Sequence, residues 1–260
     1  MKILFSIVSV VEIREHEISI LVQSAKKYFL TNHDINFVVF TDVDTPPYIK
    51  DVKYININND HCDSRTYYQF QKILSLNYIN LNTYDYFFVC DNDSVFVNDV
   101  IDSDFDNFTP DLCVLNHFGE QSPINSLNLV PIKIKKFIHH WSDIITIEND
   151  ELEHTMGNFW GGNQTTIKKL LEFTNNFWDK HKNHDFNGLG FFSNHSEELI
   201  LIKFIDLYKI KEKRITTSLN FENPAFLTDF KGYGDLVKNL HRFKMIHDTK
   251  YLIKLCHKIF

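Results

Sequence analysis

Apolar positions follow two alternating rhythms along this chain. Lys2 to Val10 is a continuous apolar run, the mark of a strand buried on both faces, and Ile13 to about Leu30 carries helical spacing. Short apolar strands come next at Asn36 to Thr41 and Lys53 to Ile57. Between Asp63 and Tyr78, the residues Tyr67, Phe70, Ile73 and Leu74 share one helical face. Tyr86 to Cys90 and Leu112 to Leu115 are again buried strands, and Thr165 to Trp178 is a helix whose core face is Ile167, Leu170, Leu171 and Phe177. The β-α-β-β-α-β order predicts an α/β fold, with a Rossmann-like, mostly parallel central sheet and helices on both faces. Ligands of such sheets bind beyond the carboxyl ends of the strands, so that edge is where chemistry is sought.

Composition narrows the class. The chain has 260 residues, 43% hydrophobic and 23% charged, as expected of one globular domain. A net charge of −7 argues against a nucleic-acid partner, because neutralising phosphates takes clustered Lys and Arg. The tail alone is basic: Lys238, Arg242, Lys244, Lys250, Lys254 and Lys258 face only Asp248, which suggests a phosphate-bearing partner or peripheral contact with a membrane surface. Cys62, Cys90, Cys113 and Cys256 have no CxxC spacing and read as free thiols of a reducing compartment. The run MKILFSIVSVV meets Glu12, Arg14 and Glu15 without a small-residue cleavage site, so it reads as a strand and not a signal peptide. No run reaches the roughly 18 apolar residues of a membrane-spanning helix, and a cytoplasmic location is expected.

Three segments carry candidate chemistry. Asp91-Asn92-Asp93 follows an apolar strand, and two carboxylates at i and i+2 there can hold a hard divalent cation that bridges to a diphosphate. Asp42 to Asp44, Asp102 to Asp104 and Asp104 to Asp106 repeat the pattern, and solvated turn carboxylates explain it equally. Asn194-His195-Ser196-Glu197 leads into an apolar helix and reads as a capping box, although a carboxylate held at a helix N-terminus also suits a reaction with an oxocarbenium-like state. Met156-Gly157-Asn158-Phe159-Trp160-Gly161-Gly162 is either a tight turn or the wall of a sugar site. His139, His140 and His154 fall in no zinc spacing.

In this order the segments resemble glycosyltransferase family 6, the family of the histo-blood-group A and B transferases and the α-1,3-galactosyltransferases. Ser24-Ala-Lys-Lys-Tyr-Phe and Val39-Phe-Thr-Asp42 are similar to the family's SAxxxF and VFTD, and Asp91-Asn-Asp93 with Val95-Phe96 to its DVDxVF. Met156 to Gly162 resembles MGAFFGG, His195-Ser-Glu197 resembles HDE, and Lys244-Met245 with Thr249-Lys250 resembles the family tail. The resemblance implies a GT-A fold in one domain over 1–260: a UDP-binding half at 1–98, a donor-sugar and acceptor half at 99–237, and a basic lid at 238–260. It implies retaining transfer of galactose or N-acetylgalactosamine from a UDP-sugar to a β-galactoside of an oligosaccharide or glycolipid. Mn²⁺ or a similar ion would sit on Asp91 and Asp93, and Glu197 would be catalytic. Donor contacts are expected at Phe5, Ile7, Asp91, Asn92, Asp93, Met156, Gly157, Asn158, His195, Ser196 and Lys250, and acceptor contacts at His117, Asn194 and Glu197.

Departures from the family pattern touch specificity. Ser196 replaces a donor-contacting Asp, Asn194 replaces a Trp, Tyr68 or Gln69 stands where the family has Arg, and Val10 or a neighbour stands for the uracil-stacking Tyr. Asn158 is bulkier than the family's Ala or Gly, which predicts UDP-galactose over the N-acetylated donor. The alternatives are a family 8-type retaining transferase, with His247 as a further metal ligand, and a glycan-binding pseudoenzyme on the same fold.

Overall fold

The computed structural model describes residues 1–10, 12–57, 65–116, 153–182, 191–215, 217–218, 225–228 and 243–247. The first half runs β1 (Lys2–Val8), α1 (Glu15–Tyr28), β2 (Asp34–Thr41), β3 (Val52–Asn56), α2 (Arg65–Leu74), β4 (Tyr86–Cys90), β5 (Ser94–Phe96) and β6 (Leu112–Asn116). The second runs β7 (Thr155–Asn163), α3 (Gln164–His181), α4 (Phe191–Tyr208), β8 (Glu212–Ile215), β9 (Thr217–Ser218), β10 (Ala225–Thr228) and β11 (Phe243–His247).

Seven strands form one sheet in the order β3-β2-β1-β4-β7-β6-β8. The pairs β3/β2, β2/β1, β1/β4 and β6/β8 are parallel, and only β7 runs against both its neighbours. This is the expected Rossmann-like α/β sheet. A second sheet has the order β5-β11-β10-β9.

Side-chain alternation divides the core in two. Leu4, Val8, Phe87 and Val89 point to one face, where Phe70 and Ile73 of α2, Ile167 and Leu170 of α3, and Leu199 to Ile202 of α4 cover them. Ile3, Phe5, Ile7, Phe88 and Cys90 point to the other, under Ile18, Leu21, Val22 and Ala25 of α1. Phe29 meets Phe5, Phe88 and Phe159 there at 5.3, 5.0 and 6.0 Å, all edge to face, the geometry aromatic rings prefer. Helix α1 places Glu15 and Glu17 in its first turn and Lys26 and Lys27 in its last, matching the helix dipole. Helix α3 is capped by Asn163, whose side chain accepts from the Thr166 amide at 2.9 Å.

Two expectations are corrected. The glycine-rich segment is not a tight turn but strand β7. A Cβ on Gly161 would lie 2.5 Å from the Phe87 carbonyl oxygen and as close to the Phe88 ring, so these glycines admit neighbouring strands. Helix α4 begins at Phe191, so Asn194 lies inside it and Asn194 to Glu197 is not a capping box. Of the segment expected as a lid at 238–260, the structure describes residues 243–247, which form β11, paired with β5, with Met245 and Ile246 fully buried. Among the described residues no helix is long and apolar enough to cross a membrane.

Candidate functional site

The parallel strands β1 to β4 end at one edge, and the carboxylates meet there. Asp91 is the first residue after β4, and its amide donates to the Asn158 carbonyl of β7 at 2.8 Å. Asn92 and Asp93 form the turn into β5, and all three are half-buried. Opposite them, α4 is apolar nearly all round and therefore runs through the core, which carries Glu197 inside with 1% exposure.

Lys72 of α2 joins the two. Its ammonium lies 2.5 Å from Asp91 Oδ1 and 2.7 Å from Glu197 Oε1, and reaches the Gly157 carbonyl at 3.4 Å. The side chain is only 5% exposed. Burial opposes its charge, but Asp91 and then Glu197 overcome that and hold its pKa well above the ordinary lysine value. Burial also pushes the Glu197 carboxyl well above the ordinary range, against the pull of Lys72 and with the help of Asp91 and Glu198. Two carboxylates thus share one ammonium.

Gly157 is required by this packing. A Cβ there would lie 1.9 Å from Glu197 Oε1 and 2.6 Å from its Cδ, so the bare backbone makes room for the carboxylate itself. The Gly157 amide donates to Glu198 Oε1 at 2.9 Å, and Glu198 Oε2 lies 3.3 Å from Nε2 of the buried His154. Consecutive glutamates of α4 therefore clamp the start of β7. Tyr68, one turn before Lys72, donates its hydroxyl to the Val8 carbonyl at 3.4 Å, and burial followed by the Asp91 charge pushes that hydroxyl's pKa up.

Two of the remaining DxD triplets, at 102–104 and 104–106, have other duties. Asp102 pairs with His33 at 2.8 Å, Asp104 accepts from the Ile101 amide at 2.9 Å, and Asp106 pairs with Lys213 at 2.7 Å. Asp42 and Asp44 follow β2. Only the Asp91 to Asp93 turn has the buried lysine and glutamate beside it.

Among the described residues no group of three or more His, Cys, Asp or Glu side chains is gathered for a metal. Asp91 and Asp93 nevertheless fit a hard cation, which needs only one or two carboxylates when phosphate oxygens and water complete its shell. The register also leads the chain back to this turn: β11 runs antiparallel to β5 and pairs His247 with Ser94, the residue after Asp93.

Other expected contacts are placed differently. Phe5 and Ile7 have no exposed surface, and their side chains pack in the core under α1. Met156 packs against that same α1-side core, whereas Gly157 opens against Glu197 on the opposite face, so the two do not form one wall. Ser196 is fully buried, and Asn194 and His195 lie in the first turns of α4. His117 and Lys250 lie outside the described residues, as do Cys62 and Cys256. Cys90 and Cys113 are free and buried.

No protein-family model and no curated protein matches the chain.

Lys72, Glu198 and His154 are not among the expected site residues. One signal points to the first: Lys72 is the only charged residue between Arg65 and Asp85, a lone cation on a helix with no solvated charges around it.

Proposed function

We propose that this chain is a retaining glycosyltransferase of GT-A type, moving a hexose from a UDP-sugar to a β-galactoside-type acceptor. The observation that carries this reading is the meeting of Asp91 and Glu197 on one buried lysine at the carboxyl edge of the parallel sheet. Asp91 and Asp93 are the residues that would hold a divalent cation such as Mn²⁺, whose charge would offset that of the departing diphosphate. Glu197 would stabilise the positive charge developing at the anomeric carbon, and Gly157 and Lys72 keep that carboxylate in one place. Galactose is the proposed sugar. A family 8-type enzyme, the alternative reading, would draw a further ligand from His247, which the β11/β5 register pairs with Ser94 beside Asp93.

UDP release is the test. Each of UDP-galactose, UDP-N-acetylgalactosamine and UDP-glucose is incubated with Mn²⁺, with and without a β-galactoside such as lactose. The reading expects release that the acceptor stimulates, greatest with UDP-galactose. Acceptor binding without release from any donor contradicts it and leaves a glycan-binding protein, and full turnover in excess EDTA contradicts the cation assignment.

A further inference from the structure

We infer that Lys72 is a positioning residue that competes with the divalent cation for Asp91, so that cation binding and release of the lysine from Asp91 are coupled. This rests on the cation site proposed for Asp91 and Asp93. The ammonium lies 2.5 Å from Asp91 Oδ1 in a position from which water is nearly excluded, the lysine being 5% exposed. A divalent cation on the same carboxylate meets a like charge a few ångströms away, where screening by solvent is weak. The site also contains the place to which the lysine withdraws. Glu197 accepts Lys72 through Oε1, whereas Oε2 is buried and takes no hydrogen bond among the described residues. An ammonium has three donors, so one freed from Asp91 turns a second N–H toward Oε2 without leaving its pocket. The cation then shifts Lys72 from Asp91 toward Glu197, which holds that carboxylate in its seat while the cation is bound. Coupling of this kind is reciprocal: whatever the cation does to the lysine, the lysine does to the affinity for the cation.

The test uses Mn²⁺ alone, without nucleotide or sugar, its free concentration read by electron paramagnetic resonance. Lys72→Met, shown to be folded by circular dichroism, is expected to bind Mn²⁺ about tenfold or more tightly than the unaltered protein, while Lys72→Arg, which keeps the charge, stays near it. A lysine that only supports the fold gives the opposite sign, because losing it loosens the site. Equal or weaker binding by folded Lys72→Met therefore overturns the competition. Asp93→Asn locates the ion. Binding indifferent to that change removes the cation site and the competition with it, whereas binding that depends on Asp93 but not on Lys72 overturns the competition alone. A second measurement needs no variant at residue 72. The amine nitrogen resonance of Lys72 in the unaltered protein is followed as Mg²⁺ is added, and it is expected to shift with saturation and to stay fixed in Asp93→Asn. A resonance that does not move while Mg²⁺ binds contradicts the inference. None of these readouts uses a UDP-sugar, so absence of glycosyl transfer leaves them standing.

Discussion

At the scale of single residues, the site is governed by what surrounds one ammonium. Removing one partner of a buried ion pair strands the other, so Asp91 and Glu197, which bear like charge, are both held by Lys72. Gly157 is the fourth member, contributing by what it lacks. Its missing Cβ leaves the volume that Glu197 fills, and the neighbours on that face are a strand and a buried helix with little room to yield. Gly157→Ala is therefore expected to push Glu197 out of its seat at a cost of about 1–3 kcal/mol in urea denaturation, with a loss of acceptor-stimulated turnover. Turnover equal to that of the unaltered protein contradicts the seat described for Glu197.

At the scale of elements, the strands and helices with a strong apolar rhythm are legible in the sequence. Five consecutive apolar residues mark Tyr86–Cys90 to its bounds, and spacing marks the helices at 15–28 and 164–181. Strand β7 is not legible, since Gly157, Gly161 and Gly162 look like a turn until the residues they admit are known, and those come from β4, β6 and α4. The same cause hides Lys72. A lysine on a helix faces solvent by default, and only Asp91 and Glu197, distant in sequence, make its burial tolerable. Strand β11 changes the expectation for the tail. Its Met245 and Ile246 are core. A chain ending at Asp248 keeps that core strand. It is expected to fold and to bind UDP at least roughly tenfold more weakly in calorimetry, because Lys250 and the cations beyond it are gone. Unchanged affinity would instead assign the basic tail to a membrane surface or to solubility.

At the scale of the whole molecule, the parallel order β3-β2-β1-β4 brings four strand ends to one edge, and the antiparallel β7 carries Gly157 to the same edge from the second half. Helix α4 then supplies Glu197 from beneath. The candidate site thus exists only when both halves are folded, which is why motif spacing nominates Asp91, Asp93 and Glu197 but cannot show that the first and last share a lysine. The proposed function matches this charge arrangement: half-buried carboxylates at the turn after β4 would take a divalent ion, and the buried Glu197 would face a cationic reacting centre. The measurement that tests this most directly is acceptor-stimulated UDP release from UDP-galactose by the unaltered protein and by Glu197→Gln, compared at equal folded fraction. The account predicts release by the first and a fall of roughly 10²-fold or more in the second, with UDP affinity retained. Equal rates in the two proteins, or no release by either, would contradict it.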